Sequence, residues 1–161
     1  MILRLSDKLG RRLRARPTTR HPLHANAYAD WSADYFRADR DAYILVANTK
    51  ALYTVLLPAG GLVTPQALEA RIHAYLAQAL KEAGLEFFYK RLVERDDEPS
   101  TYSTLLNAES EAVLRDLAEL AAYFMVEEGH DTEEAALRIN RGPLAVLDRE
   151  TPAETFRSMR F

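Results

Sequence analysis

Residues 42–58 read "AYILVANTKALYTVLLP", and the division of this stretch decides the fold. Asn48-Thr49-Lys50 interrupts two apolar runs, one ending at Ala47 and one beginning at Ala51. Asparagine suits turns because its side chain can hydrogen-bond nearby backbone, so the stretch predicts a tight hairpin. Ile44-Leu45-Val46 and Val55-Leu56-Leu57 are continuous rather than alternating. Such strands are expected to be central, or covered on both faces.

Moving outward, "WSADYFRAD" at 31–39 supplies a strand before the hairpin, turning at Asp39-Arg40-Asp41 and completing an antiparallel meander of three. "MILRL" at 1–5 is short, apolar and bounded, and reads as a strand. Ser6 caps a short helix carrying Leu9 and Leu13, which Gly10 weakens and Pro17 ends. Residues 17–30 have loop chemistry. On the other side, Thr64-Pro65 pairs an N-cap with proline at the first helical position. Leu68, Ile72, Tyr75, Leu76, Ala79 and Leu80 form an apolar stripe that ends at Gly84. "LEFFYKRLVERD" at 85–96 predicts a further strand, near 85–95, and "DDEPSTYST" at 96–104 a loop.

Asn107 caps the longest helix, with Val113, Leu117, Leu120 and Phe124 at helical spacing, flanked by Leu114, Ala121 and Met125. Gly129 ends it. Asp131 with Glu134 three positions on resembles a capping box; its helix stops at Gly142-Pro143. Thr151-Pro152-Ala153-Glu154 repeats that logic for a last short helix. The expected fold is α+β: one domain over 1–161, with a mixed sheet of about five strands near 1–5, 31–38, 42–48, 51–58 and 85–95. Four to five helices cover it.

The 161 residues carry a net charge of −3 and no cysteine. That excludes disulfides, thiolate metal sites and a cysteine nucleophile, and fits a reducing cytoplasm. No apolar run is long enough to span a bilayer, and the N-terminus lacks a signal-peptide pattern. Charge is segregated. Residues 1–20 hold seven basic side chains and one acid, the remainder 14 basic and 23 acidic. A basic arm of this kind can bind nucleic acid, or fold onto its own acidic body or that of a partner.

Catalytic motifs are absent: no G-x-S-x-G, P-loop or G-x-G-x-x-G. His21 and His24 are separated by Pro22, which prevents the helical face of an HxxH metal site; His73 and His130 stand apart. Asp30 and Asp34 share one strand parity and Asp39 and Asp41 the other or the turn, a poor arrangement for a two-metal centre. Glu127, Glu128, Asp131, Glu133 and Glu134 read as helix caps. A helix-turn-helix over 120–142 would put acids where a recognition helix meets DNA. No metal or cofactor is expected.

Candidate binding residues are Trp31, Arg37, Arg40, Asn48, Tyr53, Arg138, Asn140 and Arg141. Arginine recognises carboxylate or phosphate through a planar fork, and asparagine adds a donor and an acceptor. Arg138 and Arg141 also lie in a last helical turn, where cations are favoured with no ligand at all.

These stretches, "MILRLSDKL", "WSADYF", "ILVANTKALYTVLLP", "STLLN" and "RINRGP" at 138–143, together resemble a family of small, uncharacterised bacterial proteins known as a domain of unknown function. The resemblance spans nearly the whole chain and implies one intact domain without assigned catalytic residues. Relatives tend to read Trp-His-Ala-Asn where this chain has Trp31-Ser32-Ala33-Asp34, and Asn-Arg-Ser where it has Ser100-Thr101-Tyr102. The functional expectation is a cytoplasmic binding or regulatory module acting through protein contacts, with a protein partner or a homodimer and no membrane. The alternative is a nucleic-acid- or nucleotide-binding protein, a nucleic-acid-directed enzyme included, using a cleft of the arginine, asparagine and aromatic residues with the basic arm.

Overall fold

A computed structural model describes residues 1–94 and 99–160. The hairpin forms as β3 (Asp41–Asn48) and β4 (Thr54–Pro58), antiparallel, with Val46 opposite Val55. β2 (Asp30–Ala38) pairs antiparallel with β3, Trp31 opposite Asn48. β1 (Ile2–Leu5) lies parallel to β2 on one side and to β5 (Thr101–Thr104) on the other. The sheet order is β4-β3-β2-β1-β5, so the meander is confirmed and the basic N-terminal segment contributes an interior strand.

β4 starts at Thr54 rather than near residue 51 because Asn48 organises the connection. Its Oδ1 accepts from the Lys50 and Ala51 amides at 3.1 and 2.8 Å, and its Nδ2 donates to the carbonyls of Ala27 and Asp30. Leu52 is held at φ +60° to close the loop, a left-handed conformation that costs a branched side chain energy.

Both faces of the sheet are covered, as the continuous apolar runs predict. Ile44, Val46, Val55 and Leu57 join Trp31, Leu3 and Leu5 in one core. That core is closed by α1 (Asp7–Arg12), α2 (Pro65–Glu82) and α6 (Pro152–Ser158) through Leu9, Leu68, Ile72, Leu76, Leu80 and Phe156. The intervening residues Leu45, Ala47 and Leu56 face the second core, under α4 (Ala108–Val126) and α5 (Thr132–Arg141). Alternation by parity is the pleat at work. On α4 the fully buried stripe is Leu114, Leu117, Ala118 and Ala121, rotated from the expected one; Val113, Leu120 and Phe124 are only partly buried.

The expected strand at 85–95 is a correction. Glu86–Phe88 is an α-helical turn (α3), continued by a π-helical turn over Tyr89–Val93; residue 95 lies outside the described residues. Leu85 and Val93 are buried, Phe88 and Tyr89 pack partly, and Phe87 is 62% exposed. That is a helical spacing, further supported by Lys90 paired with Glu86 one turn away at 2.9 Å. The fifth strand comes instead from Thr101–Thr104, within the stretch expected to be loop.

The far edge of β5 is covered by the loop before the single 3-10 turn Ala27–Ala29: the Thr104 amide donates to the Thr19 carbonyl at 3.1 Å, and the His21 amide to Ser103 Oγ at 3.0 Å. Behind that loop Arg4, 0% exposed, forks onto Asp30 with two bonds of 2.8 Å. Its remaining donors reach the carbonyls of His21 and Pro22 and Ser103 Oγ. Asp30 also accepts from the His24 amide and Thr49 Oγ1. A desolvated ion pair is tolerable when its other hydrogen bonds are met, and here they tie five separate stretches of chain together.

Candidate functional site

The opposite edge, β4, is finished differently. Register places the backbone groups of Tyr53, Val55, Leu57 and Ala59 toward β3, as the Asn48-to-Tyr53 and Ala59-to-Ala42 bonds show. Thr54, Leu56 and Pro58 therefore present theirs outward. Thr54 is already paired: its amide donates to Asn140 Oδ1 and its carbonyl accepts from Asn140 Nδ2, both at 2.8 Å. The asparagine carboxamide stands in for one residue of a neighbouring strand. Pro58 has no N–H, and its carbonyl accepts from Arg71 at 2.8 Å. Leu56 alone keeps an amide and a carbonyl facing outward along β4.

These groups open into a groove of about 670 Å³, a volume typical of binding sites. Its floor is Tyr53–Leu56. One wall is α2, through Ala74, Tyr75, Gln78, Ala79 and Glu82; the other is α5, through Asp131–Glu134, Ala136, Leu137, Asn140 and Arg141. Ala83 and Leu85 after α2, and Ala153 and Arg157 of α6, complete the lining. The two walls come from opposite faces of the sheet, so the groove is the open edge itself, flanked by a helix from each outer layer. Because Asn140 is fastened to Thr54, the last turn of α5 sits at the start of β4, with the acids of its first turn at the helix's other end. Asp131 caps that first turn through the Glu134 amide at 2.8 Å.

Of the eight sequence candidates, Tyr53, Asn140 and Arg141 line this groove. Arg138 does not: it reaches back to Glu134 at 3.7 Å in an exposed pair one turn away. Trp31 is wholly buried, its indole N–H donating to the Tyr28 carbonyl at 2.8 Å, so its faces are spent on the core. Asn48 belongs to the β3–β4 connection and a separate cavity of about 90 Å³ beside the start of α4. Arg37 and Arg40 lie exposed at the β2–β3 turn, Arg37 donating to the Arg40 carbonyl at 3.0 Å. Arg157 was not singled out in the sequence; its partner Thr151-Pro152 cap, which aims α6 at the groove, was the available signal.

Burial raises the Tyr53 phenol above its ordinary pKa, and the positive charge of Arg157 pulls it the other way. At neutral pH this hydroxyl is a donor. Among the described residues no group of three or more metal-ligating side chains assembles. His73 sits 3.3 Å from Tyr89 Oη, His130 is 3.1 Å from Glu128, and His24 Nδ1 accepts from the Asn26 amide. No helix among the described residues is long and apolar enough to cross a membrane. The arrangement can pair an extended backbone, bind apolar side chains between two helices and meet an anion with arginine.

A family model described as a domain of unknown function, DUF6933, matches residues 2–155, from β1 into α6. No curated protein matches the chain.

Proposed function

The chain belongs to the DUF6933 family, a domain of unknown function, and on that premise we propose a binding module of the cytoplasm that takes an extended segment of a partner protein along β4. The observation that carries this is the state of that edge. Thr54 and Pro58 are closed to further pairing, one by Asn140 and one by Arg71 and its own ring. Leu56 is left between them, at the bottom of a groove rather than on an open flank. A segment lying there adds one antiparallel pair and inserts side chains between α2 and α5. Edge pairing supplies affinity in such sites, and the pockets beside the strand supply selectivity.

Amide exchange on the full chain tests the reading. Peptides captured by the protein from a displayed random library are expected to slow exchange at Leu56 by roughly 10-fold or more, the effect of occupying its amide. Captured peptides that leave Leu56 exchanging as before would remove the edge from the binding site. A homodimer is the special case in which the segment comes from a second copy, and light scattering with Leu56 protection reports it.

A second reading, nucleic-acid binding, draws on the basic segment 8–20. Lys8, Arg11, Arg12, Arg14, Arg16 and Arg20 are all exposed, and Arg12 lies 4.8 Å over the Tyr35 ring. Affinity for mixed oligonucleotides that falls steeply with salt is its signature. Absence of binding at low salt removes it.

A further inference from the structure

One corner of the groove carries chemistry that edge pairing leaves unused. Tyr53 is 4% exposed, its ring held 4.8 Å from that of Phe156, and it lines the cavity. Its hydroxyl has no hydrogen-bond partner among the described residues, yet no fully enclosed side-chain oxygen or nitrogen is left unsatisfied. The hydroxyl therefore keeps some exposed surface, in a residue that lines the cavity. Arg141 and Arg157 line the same cavity, and neither makes an ion pair or a side-chain hydrogen bond with a described residue. An unpaired exposed arginine means little by itself. Two in one cavity with a buried phenol, Arg157 close enough for its charge to act on that phenol, supply three donors suited to an anion, although Glu82 lines the same cavity.

Strand geometry says which anion. A segment paired with Leu56 cannot extend its ladder past Thr54, because Asn140 already holds both Thr54 groups. The segment has to end there or turn away, and the Thr54 end is where Tyr53 and the last turn of α5 lie. In antiparallel pairing both groups of Leu56 bond one partner residue, and that partner chain runs toward Thr54. Its next residue lies ~3.4 Å further on. We infer that Tyr53, Arg141 and Arg157 seat the C-terminal carboxylate of a partner segment whose penultimate residue pairs with Leu56. The inference rests on the edge-pairing reading above and specifies its ligand: the free C-terminus of a protein, with no acidic run upstream. Asp131, Glu133 and Glu134 line the groove from the other end of α5, where they would repel such a run and favour basic side chains.

The test pans two random decapeptide libraries on the full-length chain, one displayed with a free C-terminus and one with the same segment followed by carrier protein. Enrichment is expected from the first library only. A selected peptide is expected to bind about 10-fold more tightly as the free acid than as its C-terminal amide, the scale of one lost charge-assisted contact. Tyr53→Phe, Arg141→Gln and Arg157→Gln should each weaken the acid and leave the amide unchanged, with the melting temperature of the free protein unaltered. Acid and amide binding equally while Leu56 is protected would overturn the carboxylate seat and leave edge pairing standing. Binders that do not protect Leu56 would overturn edge pairing, and no binders from either library would overturn both.

Discussion

Asn140 and Arg138 stand two positions apart on one helix, and only Asn140 is tied into the sheet. Asn140 supplies a donor and an acceptor to Thr54 in a buried setting. Asn140→Ala strands both Thr54 groups, and unfolding in urea should show a loss of roughly 1–3 kcal/mol. Arg138→Gln breaks only an exposed i, i+4 pair and should change stability by less than ~0.5 kcal/mol in the same measurement. Arg4 is the extreme case. Arg4→Met leaves Asp30 charged and buried, an expected loss of about 3–5 kcal/mol. Adding Asp30→Leu should cost less than the sum of the two single changes, since the uncompensated charge is gone; strict additivity in that cycle would mean the pair is uncoupled. Arginine near a helix end and arginine in a strand look alike in a sequence. What separates them is which neighbours arrive from elsewhere in the chain, and Asp30 is 26 positions away.

Along β4 the pleat predicts an exchange pattern. Val55 and Leu57 amides are bound to β3 and Thr54 to Asn140, so these should exchange slowly, and Leu56 faster than all three in the free protein. Uniform protection along the strand would place another group over the Leu56 amide. The elements that were legible share a feature: each is specified by its own residues. The hairpin follows from Asn48 between two apolar runs, and α2, α5 and α6 from their caps at Thr64, Asp131 and Thr151. Residues 85–93 misled because aromatics favour strands, while the deciding contacts are distant: Phe88 stacks on Tyr28 at 5.3 Å. Thr101–Thr104 escaped notice for the opposite reason. Four residues carry too little pattern, and the strand exists because β1 offers it a parallel partner.

The groove is a property of the whole molecule, which is why only part of it could be read in advance. Tyr53, Asn140 and Arg141 are legible as polar candidates, and all three line the groove. That they meet depends on β4 being the outermost strand, with α2 and α5 arriving from opposite layers. Global stability should also respond to pH through His73. Burial holds its pKa below the ordinary value of 6.5, against a smaller opposing pull from Glu69. The unfolded chain therefore takes up the proton first. Stability is full above pH 6.5 and declines as pH falls toward the folded state's own lower pKa. His73→Gln should flatten that part of a urea-midpoint profile; an unchanged slope would assign it to other groups. Finally, β1 sits between strands begun about 30 and 100 residues later. During translation it emerges first and finds β2 early, yet its second flank and the last donor of Arg4 wait for Ser103. A nascent chain paused before that point carries a raw interior strand, the kind of surface to which chaperones bind and on which neighbouring chains aggregate. β1 is thus made before both its partners and completed late, and a ribosome stalling between α2 and β5 would expose the molecule at its most vulnerable.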